Sequence, residues 1–271
     1  MPPTRRQALV AIAATAGTAL MPRALLAQAS GLLVGAEVCA LTPEVTEGPY
    51  YVDPGLVRSD ITEGRAGVPT LLRMQVVDGA CEPIEGARVD VWHCDAQGVY
   101  SGFGGGEAGQ DSAEGETFLR GTLFAGADGV VEFATIYTGW YRGRTTHVHF
   151  KVFLDERTAL TGQVFFPDAL SEWLYENAPA YRRDGPRDTL NADDGIAAEA
   201  TRASYATIAE GDAAYLAQLV VGVDPAATSQ AGASGPGGGR PLGPPPGGGP
   251  GEGAARDAAA RARALLPGGE G

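Results

Sequence analysis

The chain has 271 residues and a mass of 27.8 kDa, and its formal net charge of −13 gives a pI near 4.6. A surface of that charge repels polyanions, which disfavours a nucleic-acid backbone or an anionic membrane as a partner. A small uncharged aromatic compound meets no such barrier. The length suffices for one sizeable hydrophobic core, and it leaves open whether identical chains form a homo-oligomer.

Residues 1–29 predict an export signal. Arg5 and Arg6 precede an alanine-rich apolar stretch over residues 8–20, and Ala27 and Ala29 provide a small-residue cleavage site. This arrangement is typical of a twin-arginine signal peptide and predicts a periplasmic or secreted protein. Polar residues interrupt the apolar stretch, so stable membrane insertion is not expected.

The middle of the chain alternates short apolar segments with turn residues, a pattern typical of strands. A turn is predicted at residues 127–129 and a short helix at 168–177. Residues 205–223 fit a helix or a strand pair, and the strand pair is favoured because Gly211 interrupts the segment. The other predicted strands are residues 71–77, 87–93, 118–124, 130–136, 146–154 and 162–166. This order predicts an all-β fold, an antiparallel β-sandwich.

Two of the 3 histidines, His147 and His149, stand on either side of a single valine. Alternate side chains of a strand share a face and are spaced about 6.6–6.8 Å apart along it, so both imidazoles can converge on one cation. Val148 and Phe150 then face a core on the opposite side. Ordinary hydrogen-bonded histidines would give the same pattern, since His has many uses other than metal binding.

The end of the chain, residues 226–271, is rich in Gly, Pro and Ala. Such a composition cannot bury enough apolar surface to order itself, which predicts a disordered tail. One folded domain is therefore expected over residues 30–225.

The 3 cysteines are Cys39, Cys81 and Cys94. In an oxidising compartment they permit one disulfide and one free thiol. All pairings among them remain open at this point.

Four segments, in the same order along the chain, resemble the intradiol ring-cleaving dioxygenases, the family of protocatechuate 3,4-dioxygenase and catechol 1,2-dioxygenase. They are TPEVTEGPY at residues 42–50, VDVW at 89–92 leading to GVY at 98–100, GWY at 139–141, and RTTHVH at 144–149. The resemblance covers most of the chain between about residues 39 and 168. It implies the family's two-sheet sandwich with long loops around a metal site.

Carried over residue by residue, the resemblance implies a non-haem Fe(III) site whose protein ligands are Tyr100, Tyr141, His147 and His149. Two tyrosinates suit a trivalent ion, because the cation lowers the pKa of a phenol far below its usual value of about 10. The implied activity is cleavage of a catechol-type aromatic by O2 to a cis,cis-muconate-type diacid, a step of aromatic compound catabolism. Tyr141 is also the implied acceptor of a substrate proton.

Arg144 matches the family's catalytic arginine, upstream of the first histidine ligand. A fixed guanidinium stabilises negative charge that develops on the ring, although a surface ion pair would also account for an arginine at this position. Gln163 matches a glutamine beside the iron site, where it would orient Arg144 or a ligand, or serve as an ordinary structural amide.

The family's substrate-covering loop is matched by Thr46, Gly48, Pro49 and Tyr50, which are therefore the implied pocket residues. One departure concerns the short connection between Tyr141 and Arg144, which contains only Arg142 and Gly143. The well-known enzymes carry a longer insertion there that shapes the ring pocket. We therefore expect a more open site and do not transfer a substrate.

Two other functions use the same residues. A noncatalytic β-sandwich binding module of the prealbumin-like kind would have the same strands. A zinc or copper enzyme would use His147, His149 and His93, although the position of His93 beside Val89 and Val91 also fits a buried, hydrogen-bonded side chain. Colour separates the metals, because tyrosinate-to-Fe(III) charge transfer is red-brown and zinc is colourless.

Overall fold

The computed structural model describes residues 40–53, 55–104 and 112–231. The predicted signal peptide at 1–29 and most of the predicted tail lie outside these ranges, so both stay predictions. No helix within the described ranges is long and apolar enough to cross a membrane.

The described chain is built mainly from short strands, with two helices and two 3-10 turns between the sixth and seventh strands. The strands are β1 (Pro69–Val77), β2 (Arg88–Trp92), β3 (Arg120–Phe124), β4 (Val130–Ile136), β5 (His147–Leu154), β6 (Arg157–Phe165), β7 (Thr207–Glu210) and β8 (Tyr215–Gly222). The helices are α1 (Asp168–Asn177) and α2 (Gly195–Glu199), and the 3-10 turns are Pro179–Tyr181 and Arg202–Ser204.

The strands form two four-stranded sheets. Sheet 1 has the order β4-β1-β8-β7 and sheet 2 has the order β3-β2-β5-β6. All pairs within the two sheets are antiparallel except β1 with β8. The all-β sandwich is therefore confirmed. The parallel pair of β1 and β8 was not predicted; such a pair needs a long crossover connection, which the chain between the two strands provides.

One hydrophobic core lies between the sheets. Alternate residues of each strand point into it because side chains of a strand alternate between its faces. The inward-facing residues include Leu72, Met74, Phe133, Ala217 and Leu219 from sheet 1, and Val89, Val91, Val148, Phe150 and Val164 from sheet 2. The predicted core face of β5 is thereby confirmed.

The predicted elements are found with shifted ends. β4 and α1 have the predicted bounds, and β7 and β8 form the predicted strand pair. β3 begins at Arg120 rather than at 118, because Leu119 has a φ of 56°, which no β-strand residue adopts. β6 begins at Arg157 rather than at 162, so the β5–β6 hairpin is longer than its apolar segments indicate.

The first residues of the predicted tail contact the folded domain. The backbone N–H of Ser229 donates to the carbonyl of Thr158, and that of Gln230 donates to the Glu44 carboxylate at 2.8 Å. The Ser229 hydroxyl also lies 2.9 Å from Thr161 Oγ1. The described fold therefore extends past the predicted boundary at residue 225, as far as residue 231.

Candidate active site

The two histidines of β5 lie on the face of sheet 2 that points away from the shared core. His149 is opposite Trp92 of β2 and Gln163 of β6. Both imidazoles are buried, and their Nε2 atoms are 3.1 Å apart. Both histidines therefore come from a single strand of sheet 2.

The hydrogen bond made by His147 fixes its tautomer. Its Nδ1 lies 2.7 Å from the carbonyl oxygen of Thr145, and a carbonyl only accepts, so Nδ1 carries the proton. Nε2 is then the unprotonated ring nitrogen, whose lone pair is able to bind a metal. This is the neutral form that metal-binding histidines use.

The ring of His149 is held by packing on both sides. It stacks on Trp92 with ring centroids 4.9 Å apart and an interplanar angle of 8°. A Cβ added at Gly48 would lie 3.2 Å from its Cε1, and Gly48 has a φ of +72°. Glycine is required there by both the backbone conformation and the close approach. Nδ1 of His149 has no hydrogen-bond partner among the described residues.

Two loops bring the tyrosines to the histidines. Tyr100 follows β2, and Tyr141 lies between β4 and β5. The loops touch at Gly98, where a Cβ would lie 2.4 Å from the carbonyl oxygen of Trp140 and where φ is +85°. The Tyr100 and Tyr141 rings are 5.6 Å apart, and Tyr141 Oη is 3.2 Å from His147 Nε2.

Burial shifts the pKa of each tyrosine and each histidine of the candidate site so that the neutral form is favoured. It raises the pKa of Tyr100 well above its ordinary value and also raises that of Tyr141. It lowers the pKa of His147 to about 3, with a contribution from Arg144, and that of His149 well below its ordinary value. In such a site a bound cation is needed to hold a tyrosine as the phenolate.

The unpaired donor atoms fit a trivalent metal. The buried Oη of Tyr100 has no hydrogen-bond partner among the described residues, although buried hydroxyls are nearly always paired. Two phenolic oxygens and two imidazole nitrogens thus converge in one poorly solvated place. This donor set, with hard oxygens that become anionic, suits Fe(III).

A site made from all three histidines is not formed. Nδ1 of His93 lies 2.8 Å from the carbonyl oxygen of Cys94, and its Nε2 lies 2.7 Å from Thr135 Oγ1. Both ring nitrogens are therefore occupied, as a structural histidine requires. Among the residues that the structure describes, no group of three or more His, Cys, Asp or Glu side chains is placed to hold a metal ion.

Arg144 lies beside the candidate ligand atoms and is held by two side chains. Its Nε donates to Asp194 at 2.8 Å and its Nη2 donates to Gln163 Oε1 at 2.6 Å. Its Nη1 lies 3.5 Å from His147 Nε2. Gln163 therefore contacts Arg144, which was one of its two expected arrangements.

The loop that contains the predicted pocket residues closes over the site. Gln163 Nε2 donates to the carbonyl of Thr46 at 3.0 Å, and Tyr50 stacks on Tyr100 with centroids 4.3 Å apart. Together with Gly48 on His149, these contacts place Thr46, Gly48 and Tyr50 at the site. Pro49 is exposed, and the pocket role of all four residues stays a prediction.

Three residues at the site escaped the sequence analysis. Trp92 was named only as the end of the VDVW segment, and Arg120 and Asp194 were not singled out. Arg120 is buried and donates from Nη1 to the Tyr50 carbonyl and from Nη2 to the Ser101 carbonyl, both at 2.7 Å. The alternation of side chains along the strands would have put Trp92 and Arg120 on the same face as His149, because the three residues lie side by side in β2, β3 and β5. No local signal points to Asp194.

The cysteines are now partly assigned. Cys81 is disulfide-bonded and Cys94 is a free, buried thiol. Burial raises the pKa of the Cys94 thiol to about 12, so the thiol stays protonated and unreactive. Cys39 lies outside the described residues.

Comparison with known proteins places the chain among ring-cleaving enzymes. A family model described as Dioxygenase matches residues 46–178. An intradiol ring-cleavage dioxygenase from Tetranychus urticae shares 31% identity with a TM-score of 0.66, over 71% of this chain and 98% of that chain. The dioxygenase domain of a dioxygenase and carbohydrate-binding protein fusion from Streptomyces sp. SirexAA-E shares 26% identity with a TM-score of 0.52, over 68% and 99% of the two chains.

Curated relatives match over a shorter stretch. Catechol 1,2-dioxygenase 1 from Acinetobacter lwoffii is 30% identical over 45% of this chain and 45% of its own length. The chain thus spans less than half the length of that relative.

Proposed function

Because the chain belongs to the intradiol ring-cleavage dioxygenases, we propose that it cleaves a catechol-type aromatic with O2 to a cis,cis-muconate-type diacid at a non-haem Fe(III) site. One observation carries the proposal: Tyr100, Tyr141, His147 and His149 come together from three separate parts of the chain, with the Tyr100 hydroxyl unpaired. When bound, ferric iron would hold both oxygens of a catecholate and make its ring reactive toward O2.

Tyr141 is the proton acceptor of the proposed reaction. Its pKa is raised by burial, so its phenolate is a strong base once a substrate competes for its place. Its Oη lies beside His147 Nε2, at the ligand cluster. A catechol hydroxyl placed there would transfer its proton to Oη, which leaves the substrate as the catecholate monoanion.

Arg144 stabilises the negative charge of the substrate. Its guanidinium is always ionised, and Nη1 faces the ligand atoms of His147. Negative charge that develops on the ring and on the product carboxylates lies within reach of this group. A preorganised cation in a water-poor site is typically worth more than the same cation in water.

The loop of residues 46–50 and the rings of Tyr50 and Trp92 exclude water from the site. Tyr50 covers Tyr100, and Trp92 covers His149. On the remaining side, the short connection between Tyr141 and Arg144 turns tightly, with the backbone N–H of Arg144 donating to the carbonyl of Tyr141. A substrate would enter without the barrier of a long insertion, which favours ring substituents of varied size.

The test is a visible spectrum of the purified protein before and after anaerobic addition of catechol, followed by air and mass analysis of the product. A red-brown band that shifts with catechol and then bleaches, with two oxygen atoms added to the product, supports the proposal. A colourless protein without a response to catechol after iron loading would overturn it.

A variant separates binding from turnover. Arg144→Ala should keep iron and colour but lose about 100-fold or more in kcat, the cost of removing one preorganised electrostatic donor. Arg73→Ala, on the outer face of sheet 1, is the matched control and should leave kcat unchanged. Normal turnover by Arg144→Ala would show that the assigned role is wrong.

We also propose that the protein acts in the periplasm or outside the cell. The twin-arginine sequence in residues 1–29 supports this, and so does the disulfide at Cys81, since disulfides persist in oxidising compartments. Replacement of Arg5 and Arg6 by lysine should retain the protein in the cytoplasm, as measured by cell fractionation. Unchanged export would remove this assignment.

A further inference from the structure

Asp194 is a buried carboxylate whose hydrogen bonds are all directed at fixed groups. Its side chain is 1% exposed. Oδ1 accepts from the backbone N–H groups of Ile196 and Ala197 at the start of α2, at 2.8 and 3.1 Å. Oδ2 accepts from the backbone N–H of Thr145 and from Nε of Arg144, both at 2.8 Å. The carboxylate therefore has little freedom to move.

The guanidinium of Arg144 is oriented by that carboxylate. Nε is bound to Asp194 and Nη2 to Gln163, so two edges of the planar group are fixed. The remaining nitrogen, Nη1, faces His147 Nε2. A long arginine side chain without such anchors samples several rotamers, and ordering it costs conformational entropy.

The pair stays ionised inside the protein. Burial by itself raises the pKa of Asp194, but Arg144 and the backbone donors outweigh it, so the pKa lies below its ordinary value. Removal of the charge would leave Arg144 without its counterion at a site where its side chain is only 15% exposed. Removing one partner of a buried ion pair generally lowers stability by more than the intact pair contributes, because the other charge stays buried without a counterion.

We propose that Asp194 is a positioning residue of the ring-cleavage reaction, which holds the Arg144 guanidinium with Nη1 at the substrate site. This inference rests on the proposed function. Asp194 does not touch the substrate and acts through Arg144. The chemistry favours this role because electrostatic stabilisation depends on placement, and an error of about 1 Å in a positioned group can cost 100-fold in rate.

The first test is Asp194→Asn with Asp188→Asn as the matched control. Asparagine keeps an oxygen for the start of α2 and is itself a good N-cap, but it loses the charge that faces Arg144. Asp188 belongs to the same connecting segment, but its carboxylate accepts from the backbone N–H of Gly143 and not from the side chain of Arg144. We expect Asp194→Asn to lower kcat by about tenfold or more with KM changed less than about threefold, and Asp188→Asn to change neither.

A double variant separates positioning from a general structural defect. In the Arg144→Ala background, Asp194→Asn should lower kcat by no more than about twofold, because residues that act through one another are non-additive. A further tenfold loss in that background would overturn the proposal. If Asp194→Asn does not fold, Asp194→Ser, which keeps an N-cap oxygen, replaces it in both experiments.

A readout without turnover uses the iron-free protein. In 15N NMR spectra, the Nε–H signal of Arg144 should exchange slowly with water in the wild type and in Asp188→Asn, and rapidly in Asp194→Asn. An unchanged signal in Asp194→Asn would overturn the proposal. A wild-type protein that cleaves no catechol would overturn the proposed function and this inference together, whereas an active wild type with a fully active Asp194→Asn would overturn the inference alone.

Discussion

The outer faces of the two sheets differ, although both are built from strands with the same alternation. On sheet 1, Arg73 and Glu132 pair with each other and their side chains are each 37% exposed. On sheet 2, His149 and Gln163 are each 1% exposed. The residues are polar on both faces, but loops bury the part of sheet 2 around His149, whereas the pair on sheet 1 stays partly exposed and only Gln75, which donates to the Asp128 carbonyl, is buried near it.

Burying the polar face of a sheet costs free energy unless each polar atom forms a hydrogen bond. On sheet 2 the loops provide most of those partners: the Thr46 carbonyl accepts from Gln163, and Asp90 accepts from Tyr51 at 2.9 Å. Two buried atoms that lack one, the Tyr100 hydroxyl and Nδ1 of His149, belong to the candidate site. The comparison of the two sheets shows that polarity alone does not identify the candidate site. What distinguishes the site is that some of its buried polar atoms have no hydrogen-bond partner among the described residues.

The largest effect on iron content is expected from the removal of a proposed iron ligand. Tyr100→Phe should lose most of its iron and its colour, because the site then has one fewer anionic donor for a trivalent ion. Iron content and the visible spectrum measure this. Tyr215→Phe on sheet 1 is the control and should keep both; equal iron in the two variants would mean that Tyr100 is not a ligand.

The inner face of sheet 2 should govern stability rather than chemistry. Phe150 is 0% exposed, and Phe150→Ala should lower the free energy of unfolding by about 3–5 kcal/mol through lost burial and the cavity left behind. Urea unfolding of the iron-free protein measures it. Phe124→Ala, at a position that is 57% exposed, should cost less than about 1 kcal/mol; similar losses for the two would contradict the assignment of the core.

His93 links the two sheets and should make stability depend on pH. Burial lowers its pKa to about 4 from 6.5, so the unfolded chain takes up a proton first as pH falls. Its stabilising contribution is complete above pH 6.5 and is lost as pH falls from there toward 4, by at most about 1.4 kcal/mol per pH unit.

The measurement is urea unfolding of iron-free protein at several pH values between 4.5 and 7.5. His93→Gln should flatten the dependence relative to the wild type, while the buried His147 and His149 keep part of it. A slope that the substitution leaves unchanged would argue against a buried neutral His93.

The smallest effect is expected on the outer face of sheet 1. Glu132→Gln breaks the pair with Arg73, and half-exposed pairs of this kind contribute about 0–1 kcal/mol. Iron content should not change. A loss of iron would mean that sheet 1 supports the site more directly than the described contacts indicate.

Much of this structure was accessible from the sequence. Alternation in β5 identified both its core face and the shared face of His147 and His149, because the period of a strand is fixed by its backbone. The turn at residues 127–129 and the strand pair within 205–223 followed from glycine and short apolar runs. Strand ends were less certain: the positive φ of Leu119 depends on tertiary contacts that no local pattern records.

The ligand set required more than periodicity. Tyr100 and Tyr141 are far apart in sequence, and the resemblance of four ordered motifs placed them together. Those motifs could not show that Trp92 stacks on His149 or that Arg120 donates to the carbonyl of Tyr50. The cysteines were likewise undetermined until Cys94 proved buried and Cys81 bonded.

The sequence by itself determined the strands, the paired faces of β5 and the residue types of the site, since these depend on local backbone geometry and side-chain chemistry. The tertiary structure decided which polar face is buried and which atoms remain unpaired there. It also decided that Asp194 meets Arg144, because a hydrogen bond between residues so distant along the chain depends on how the loops close over sheet 2.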